Sequence, residues 1–463
     1  MAMTMNGQAA EGGKNTALAA ALQNAGCSYQ SLAARVNALA RRQGRLTRYD
    51  KASVSRWVGG RPPRAETMWL VAGALTEALG RVVQPCDIGF HVQQGPPVVV
   101  RSLLYGEDVG QVLQTLSGLA AEDVGRRDVL GAVPFVSSAL LAPQRSWLLW
   151  AWEQSETPAL AAVAAGGRVA VVQAMVAAFD RVDNRFGGQE VRSSILFYLN
   201  REVLPMLRQG VGAEERGPLF TAAARLGAMA GWSSYDSGEY GLAQRYMIQA
   251  LRLCQEGGDL VLAGQVLAGL SHLSTSLGHP EDGVHLARAG LQTARHAGSP
   301  LGLMRLQAMV ARGCAASGRA KQALRALEEA EAALGRSRGA EQESPWVRYL
   351  DRHYWEAEAA FVFRDLGRAE QAEQMADASV RANGDRRRRQ AISQAVLAGA
   401  CLQQGRLDEA LACAHAALKG LENVRSLRSV QALKDFGQRA GAFGKEPAVR
   451  AFFRAAQPVL ETA

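Results

Sequence analysis

Residues 395–418, AVLAGACLQQGRLDEALACAHAAL, contain the pattern that decides the fold of most of this chain. Gly405 separates two apolar segments of helical spacing, and small residues follow it at Ala410 and Ala417. Glycine adopts left-handed backbone angles without strain, so it can end a helix and let the chain turn back. The stretch therefore predicts a hairpin of two antiparallel helices.

The same pattern occurs five times along the second half of the chain. Its glycines are Gly238, Gly278, Gly318, Gly367 and Gly405, at intervals of 40, 40, 49 and 38 residues. Repeats of this length predict an α-solenoid, in which each hairpin buries its apolar stripe on its neighbours. The longest interval contains the polar stretch 335–345, GRSRGAEQESP, which predicts an exposed loop.

The repeats resemble tetratricopeptide repeats, although they exceed the usual 34 residues. This resemblance implies an all-α chain that ends in a right-handed solenoid. We place the solenoid at residues 166–463, with helices at 168–186 and 189–209 and a sixth pair or cap at 424–460. Residues 91–165 are interpreted as a linker and connecting region, with an extended segment at the Val98–Val100 run.

Positive charge is concentrated in residues 14–90, interpreted as a separate N-terminal domain. The whole chain has a net charge of +9, and this segment, with eleven basic and four acidic residues, accounts for +7 of it. Caps at Asn15 and Ser28, an N-terminal Asp50 and a closing Gly80 predict four short helices here. A small basic helical unit is typical of proteins that bind the phosphate backbone of nucleic acids.

Residues 53–75, SVSRWVGGRPPRAETMWLVAGAL, and LAARV at 32–36 resemble the XRE-type (lambda repressor-like) helix–turn–helix. Together with the repeats, they resemble helix–turn–helix regulators with tetratricopeptide repeats from filamentous actinobacteria. The connection from Leu39 to Tyr49 is longer than the family's tight turn, so it either extends the second helix or forms a loop that contacts phosphates.

The resemblance implies DNA-binding residues on the third helix and around it. Val54 and Trp57 are expected in the domain core. The residues expected to contact base edges or phosphates are Lys51, Ala52, Ser53, Ser55, Arg56, Arg61, Arg64, Arg48 and Tyr29. The implied protein is a cytoplasmic transcriptional regulator that binds double-stranded DNA as a homodimer. The alternative is a cytosolic scaffold or adaptor that regulates by binding another protein.

The solenoid is expected to bind an effector or a protein partner in its groove. Candidate lining residues are Trp346, Tyr349, Tyr354 and Trp355, although packing alone could account for them. Trp232, Tyr235 and Tyr240 are interpreted as core, and the run Arg386–Arg389 as a solvated face. A peptide, a small molecule and a protein all stay open as effectors. A peptide is not favoured, because Asn383 and Asn423 are the only asparagines beyond residue 200.

No motif in the sequence indicates an enzyme, a metal site or a cofactor. The phosphate-binding GxxxxGK[ST], HExxH and GxSxG patterns are all absent, and the seven histidines are dispersed. The six cysteines form no CxxC pair, so we interpret them as free thiols that are mostly buried. The apolar stretch 158–179 has an arginine at its middle, which argues against a membrane span.

Overall fold

The computed structural model describes most of the chain and contains only helices among the described residues. The described residues are 14–42, 46–81, 83–90, 98–125, 133–153, 167–186, 188–382, 387–421 and 426–461. The side chains of residues 42 and 184–190 are outside the description. No described helix is both long enough and apolar enough to cross a membrane.

Four helices and a 3-10 turn form the N-terminal unit. They are α1 (Thr16–Asn24), α2 (Tyr29–Arg42), α3 (Lys51–Val58), α4 (Ala65–Leu79) and the turn Pro85–Ile88. The predicted caps are confirmed, since the Asn15 side chain accepts from the Leu18 amide at 2.9 Å and Gly80 ends α4 at φ 64°. The long connection does extend α2, to Arg42, and residues 43–45 lie outside the described part.

The N-terminal unit has its own apolar core. Leu32, Val36, Val54, Val71 and Leu75 are fully buried, and they belong to a cluster separate from those of the remaining chain. Removing such side chains from water stabilises a small domain by about 1.5–3 kcal/mol each. The unit therefore holds its helices together by contacts within itself.

Helices also form in the region between the N-terminal unit and the repeats. They are α5 (Val98–Arg101), α6 (Val109–Gly125), α7 (Leu141–Glu153), α8 (Gly167–Phe186), α9 (Gly188–Tyr198) and α10 (Leu204–Gln209), with a π-helical turn at Leu199–Val203. The helices expected near 168–186 and 189–209 are thus confirmed. The extended segment expected at Val98–Val100 is wrong, because Val98 packs into the adjacent core as part of α5.

The segments around α5–α7 pack on the first repeat through a set of buried hydrogen bonds. The Gln244 amide pairs with both backbone groups of Val136, at 2.9 and 2.7 Å. Gln249 donates to the carbonyls of Ser102 and Leu104 at 2.9 and 3.0 Å. Polar side chains buried in the first hairpin are therefore satisfied by backbone from the preceding segments.

Six helical hairpins follow in the part of the chain that the structure describes. Their helices are α11 (Ala213–Asp236), α12 (Tyr240–Gly257), α13 (Leu260–Ser276), α14 (Pro280–His296), α15 (Pro300–Ala316), α16 (Ala320–Gly335), α17 (Arg352–Asp365), α18 (Ala369–Ala382), α19 (Arg387–Gln403), α20 (Leu407–Gly420), α21 (Leu427–Ala440) and α22 (Pro447–Glu461). The five predicted turn glycines join the first five hairpins, all at φ between 71° and 84°. Consecutive pairing of the helices confirms the solenoid, and the sixth pair is also present.

The two ends of the solenoid meet. The carboxylate of Asp236, at the end of α11, accepts from Arg388 Nη1 on α19 at 2.8 Å and from Arg428 Nη2 on α21 at 2.9 Å. Ser426 donates to the same carboxylate at 3.1 Å, and Leu427 lies against Gly238. The first hairpin thus contacts the fifth and sixth, and the repeats surround a central space.

Candidate functional site

Two parts of the molecule are candidates for function: the exposed face of α3 and the cavity inside the solenoid. The start of α3 is fixed by Asp50, whose side chain accepts from the Ser53 amide at 2.8 Å while the Asp50 amide donates to the Ser53 hydroxyl oxygen at 3.4 Å. These bonds from Ser53 lower the pKa of Asp50. A capping box of this kind typically stabilises a helix end by about 1 kcal/mol.

Asn37 on α2 holds the connection that leads into α3. Its amide nitrogen donates to the Tyr49 carbonyl at 2.7 Å, and its amide oxygen accepts from the Tyr49 amide at 2.9 Å and from Thr47 Oγ1 at 2.9 Å. The Tyr49 ring packs edge-on against Trp57 and its hydroxyl bonds to Thr67. Side-chain contacts therefore attach the connection before α3 both to α2 and to α3.

The third helix has one buried face and one exposed face. Val54 and Trp57 are 0% and 5% exposed, as predicted for core residues. Their exposed counterparts are Lys51, Ala52, Ser55 and Arg56. The sequence of α3, KASVSRWV, contains two cations and no acid, so its solvent face is positively charged.

The phosphate contacts expected from the sequence fall into two groups. Arg48, Arg61 and Arg64 are exposed, and Tyr29 is half-buried at the start of α2. Ser53 is only 6% exposed and its hydroxyl is bonded to Asp50. Because its side chain completes the cap, the expectation that Ser53 contacts a phosphate is wrong.

A cavity of about 1160 Å³ occupies the centre of the solenoid. The first helix of every hairpin contributes to its wall: Trp232 from α11, His272 from α13, Arg312 from α15, Glu358 from α17, Arg388 from α19 and Arg428 from α21. Asp180 and Asp183 of α8 also line it. The cavity therefore lies where the resemblance places the effector groove.

Three of the four predicted groove residues line this cavity. They are Trp346, Tyr349 and Tyr354, whereas Trp355 is 4% exposed and packs in the neighbouring core. Trp355 is thus wrong as a groove residue, because its indole nitrogen points to the Leu327 carbonyl at 3.4 Å. Trp346 donates to Asp259 at 2.6 Å, which ties the inserted segment to α13.

Several residues that the sequence analysis did not assign to the groove also line the cavity. Trp232, Tyr235 and Tyr240 line the cavity, although Tyr235 is 5% exposed and contributes to packing as expected. Arg388 and Arg389 line it too, so a solvated face is wrong for them, since Arg388 is bonded to Asp236. Arg386 lies outside the described residues, as do Asn383 and Asn423.

The exposed loop expected at 335–345 is only partly confirmed. Residues 338–342 are exposed, but Glu343 is 8% exposed and folds back onto the start of α15. Its carboxylate accepts from the Ser299 hydroxyl at 2.7 Å and from the Leu301 amide at 3.1 Å. The insertion in the 49-residue interval is thus anchored at its acidic end, which brings Trp346 and Tyr349 to the cavity.

His272 lies at the centre of a polar cluster in the cavity. Arg312 Nη1 is 3.1 Å from its Nε2, and Tyr235 Oη is 3.2 Å from its Nδ1. Burial, followed by the charges of Arg312, Arg428 and Arg305, lowers the pKa of His272 well below its usual value. A guanidinium can only donate, so Nε2 is the acceptor and the imidazole is neutral, with its proton on Nδ1.

A second cluster of potential ligands lies between the fourth and fifth hairpins. Ligand atoms of Glu373, Cys401 and Glu409 lie within 4.8 Å of one another, and Cys413 lines the same small cleft. Arg406 donates to both carboxylates, at 2.6 Å for Glu409. One guanidinium is thus already paired with both carboxylates of the cluster.

The described cysteines are all free thiols, and three of the six are buried. These are Cys254, Cys314 and Cys401. Their spacing in the sequence gave no sign that Cys401 and Cys413 approach each other, because a helical hairpin brings residues on α19 and α20 together.

One family model matches the N-terminal part of the chain. Residues 18–91 match the family described as the SP15 N-terminal domain. The matched segment is about the same as the basic N-terminal unit. This is not an XRE-type family, so the helix–turn–helix resemblance stays a prediction. No curated protein shows significant similarity to the chain.

Proposed function

We propose that the chain is a sequence-specific DNA-binding transcriptional regulator that acts as a homodimer. The N-terminal unit is the DNA-binding module of helix–turn–helix type, and the solenoid senses an effector. The single observation that carries this proposal is the division of α3 into a buried apolar face and an exposed face with Lys51 and Arg56. Such a helix fits the major groove, where arginine pairs with guanine and lysine with a base or a phosphate.

The surroundings of α3 support the same function. Arg48 is exposed before α3, and Arg61 and Arg64 are exposed after it, so further cations flank the helix on both sides along the chain. Asp50, the acid nearest to α3, is bonded to Ser53 in the cap. The cationic face is held by a rigid unit with its own core, and contacts placed on such a unit keep their register on DNA.

The first experiment measures DNA binding by the full chain against genomic fragments at two salt concentrations. Neutralising several phosphates releases counterions, so the affinity should fall steeply as salt rises. A fragment that is retained at the higher salt then identifies a specific site. Affinity that does not change with salt, or no DNA binding, would contradict the proposal and favour the scaffold function.

The second experiment replaces the two cations of α3. Lys51→Ala with Arg56→Ala should abolish preference for the specific fragment, since a bidentate arginine contact discriminates by about 1–3 kcal/mol. The matched control is Lys321→Ala with Arg325→Ala, which removes the same charges from exposed positions of α16. Equal site preference in both double variants would rule out α3 as the recognition helix. Circular dichroism verifies that each variant is folded.

A further inference from the structure

Arg305 is a buried cation without an acidic partner among the described residues. It is 5% exposed, lies on α15 and lines the cavity. Its Nη1 donates to the neutral oxygens of Gln265 and Tyr349, and its Nε has no hydrogen-bond partner in the described part of the chain. The nearest acid that acts on its charge, Glu358, is bonded to Arg312 at 3.1 Å, so no carboxylate of the described residues is bonded to Arg305 and its Nε is free to bind an anion.

Positive charges outnumber negative charges in the cavity wall around Arg305. Within the described wall, Arg312 pairs with Glu358 at 3.1 Å, and both Arg388 and Arg428 share Asp236. The described wall as a whole contains eight arginines against six acids, so positive charges exceed negative charges by two, and His272 between them is neutral. Burial raises the pKa of Asp183 in the same wall, although the charges of Arg388, Arg428 and Arg225 act in the opposite direction.

Aromatic rings lie beside these arginines. The Trp232 ring is 5.6 Å from the guanidinium carbon of Arg305 and 4.9 Å from that of Arg428. Tyr349 lies 5.9 Å from Arg305, and the Tyr354 ring is 6.3 Å from that of Tyr349. A flat ligand can therefore stack on a ring and at the same time reach a cation.

We propose that the solenoid cavity binds an aromatic organic anion with one or two negative charges, whose carboxylate or phosphate pairs with Arg305 while its ring packs on Trp232. Both anionic groups match the guanidinium fork. The volume of about 1160 Å³ is above the usual 300–1000 Å³ of small-molecule sites, so a ligand of several rings fits. The proposal rests on the proposed function only in treating this ligand as the effector.

The acids of the cavity set an upper limit on the ligand's charge. Asp180, Asp365 and Asp435 also line the wall, and each is already paired with an arginine. These pairs leave only the excess of two positive charges for a ligand, and a polyanion such as a nucleoside triphosphate would bring more negative charge than that. Nucleic acid itself is therefore not the expected occupant.

The test titrates the full chain, without DNA, with three ring probes: anthracene-9-carboxylate, 1-naphthyl phosphate and the neutral 9-anthracenemethanol. Calorimetry and tryptophan fluorescence measure binding. At least one anionic probe should bind at least tenfold more tightly than the neutral alcohol, and the stronger of the two identifies the preferred anionic group. Equal affinity for all three probes, or no binding up to about 1 mM, would overturn the proposal.

Arg305→Met is the decisive variant, because methionine keeps much of the side-chain length and removes the charge. It should bind the anionic probe at least tenfold more weakly and leave the neutral alcohol unchanged. Arg325→Met is the matched control, since Arg325 is 81% exposed on α16, where it pairs with Glu329. Unchanged anion binding in Arg305→Met, or equal loss in the control, would overturn the proposal.

The stability of the same variant provides an independent measurement. Without ligand, Arg305→Met should unfold at a denaturant concentration close to that of the wild type, because it removes hydrogen bonds to two neutral oxygens and no bonded ion pair. The anionic probe should stabilise the wild type and not the variant. A variant that fails to fold would contradict this account of Arg305. Trp232→Leu then tests the ring separately and should weaken anionic and neutral probes alike.

The outcome can be separated from that of the DNA-binding proposal. Probe binding is measured without DNA, and DNA binding is measured without probe. If DNA binding persists but no probe binds, only the anion site is wrong. If the anionic probe binds through Arg305 but DNA does not bind, the regulator function fails and the anion site stands.

Discussion

Asp236→Asn should open the contact between the two ends of the solenoid. The carboxylate of Asp236 is 2% exposed and carries the only negative charge that the described structure pairs with Arg388 and Arg428. The amide of asparagine keeps the shape but has no charge, and its NH₂ group faces donors. Two mostly buried guanidinium groups then lose the carboxylate that is bonded to both of them.

The expected loss of stability is about 3–5 kcal/mol, which is typical when one partner of a buried ion pair is removed. The bonds involved include Arg388 Nη1 and Arg428 Nη2 at 2.8 and 2.9 Å and Ser426 Oγ at 3.1 Å. All three donors lie more than 150 residues from Asp236 along the chain. Their loss therefore separates the first hairpin from the fifth and sixth rather than melting one helix.

The pH dependence of stability follows from the same residue. Burial alone favours the neutral acid, but the charges of Arg428 and Arg388 outweigh it and lower the pKa of Asp236 below 3.8. A lowered pKa in the folded state means that the carboxylate stabilises the fold above its unfolded pKa, and that this contribution is lost as pH falls through the folded value. The wild type should lose it below about pH 4, whereas Asp236→Asn lacks it at every pH.

The assay is urea unfolding followed by circular dichroism, at neutral pH and at about pH 3, with small-angle scattering to measure the dimensions of the folded chain. Asp377→Asn is the control, because Asp377 forms a surface pair with Arg381 and should cost less than about 0.5 kcal/mol. A wild-type urea midpoint and unchanged dimensions in Asp236→Asn would refute the reasoning.

Two further predictions concern the turns and the N-terminal unit. Gly318→Ala should destabilise the chain by about 1–2 kcal/mol, since Gly318 adopts φ 71°, while Gly335→Ala, with open space at its Cβ, should be neutral or stabilising in the same urea titration. Asn37→Ala removes three hydrogen bonds to Thr47 and Tyr49 and should lower the stability of the N-terminal unit by about 1–3 kcal/mol. Hydrogen exchange localises this change to residues 14–90, and exchange that is unchanged there would contradict the role of Asn37.

The sequence was sufficient for the elements whose signals are local. A few neighbouring residues are enough to predict the turn glycines, the caps at Asn15 and Asp50, and Gly80 as the end of α4. The helices begin and end where these residues predict. The two faces of α3 followed from helical spacing alone. Ser53 differs from its expected role because its hydroxyl is bonded to Asp50 in the cap of α3. The family resemblance gives no indication of that bond.

The cavity was harder to predict, although a signal was present. Polar or aromatic residues occur thirteen and six residues before four of the turn glycines: Arg225 and Trp232, Gln265 and His272, Arg305 and Arg312, Tyr354 and Phe361. All eight line the cavity. An apolar stripe at these positions would have indicated core, so their polarity identifies the inner face of the first helices. These positions are recognised as one inner face only when they are compared across the repeats, because each aromatic residue taken alone is equally consistent with packing.

Ring closure was beyond the sequence because it depends on the sum of small rotations between repeats, which no single residue encodes. Its physical consequence is clear in the structure. An open solenoid would leave the inner arginines in water, where ion pairs contribute little. The closed arrangement removes them from water, so each arginine needs a bonded counterion, supplied by an acid or by a ligand. Asp236 satisfies two of them, Glu358 satisfies Arg312, and Arg305 is the one for which the described residues provide only neutral partners. That charge lies next to Trp232 in the wall of the cavity. Closure of the solenoid therefore buries Arg305 and at the same time creates a site that selects an anion.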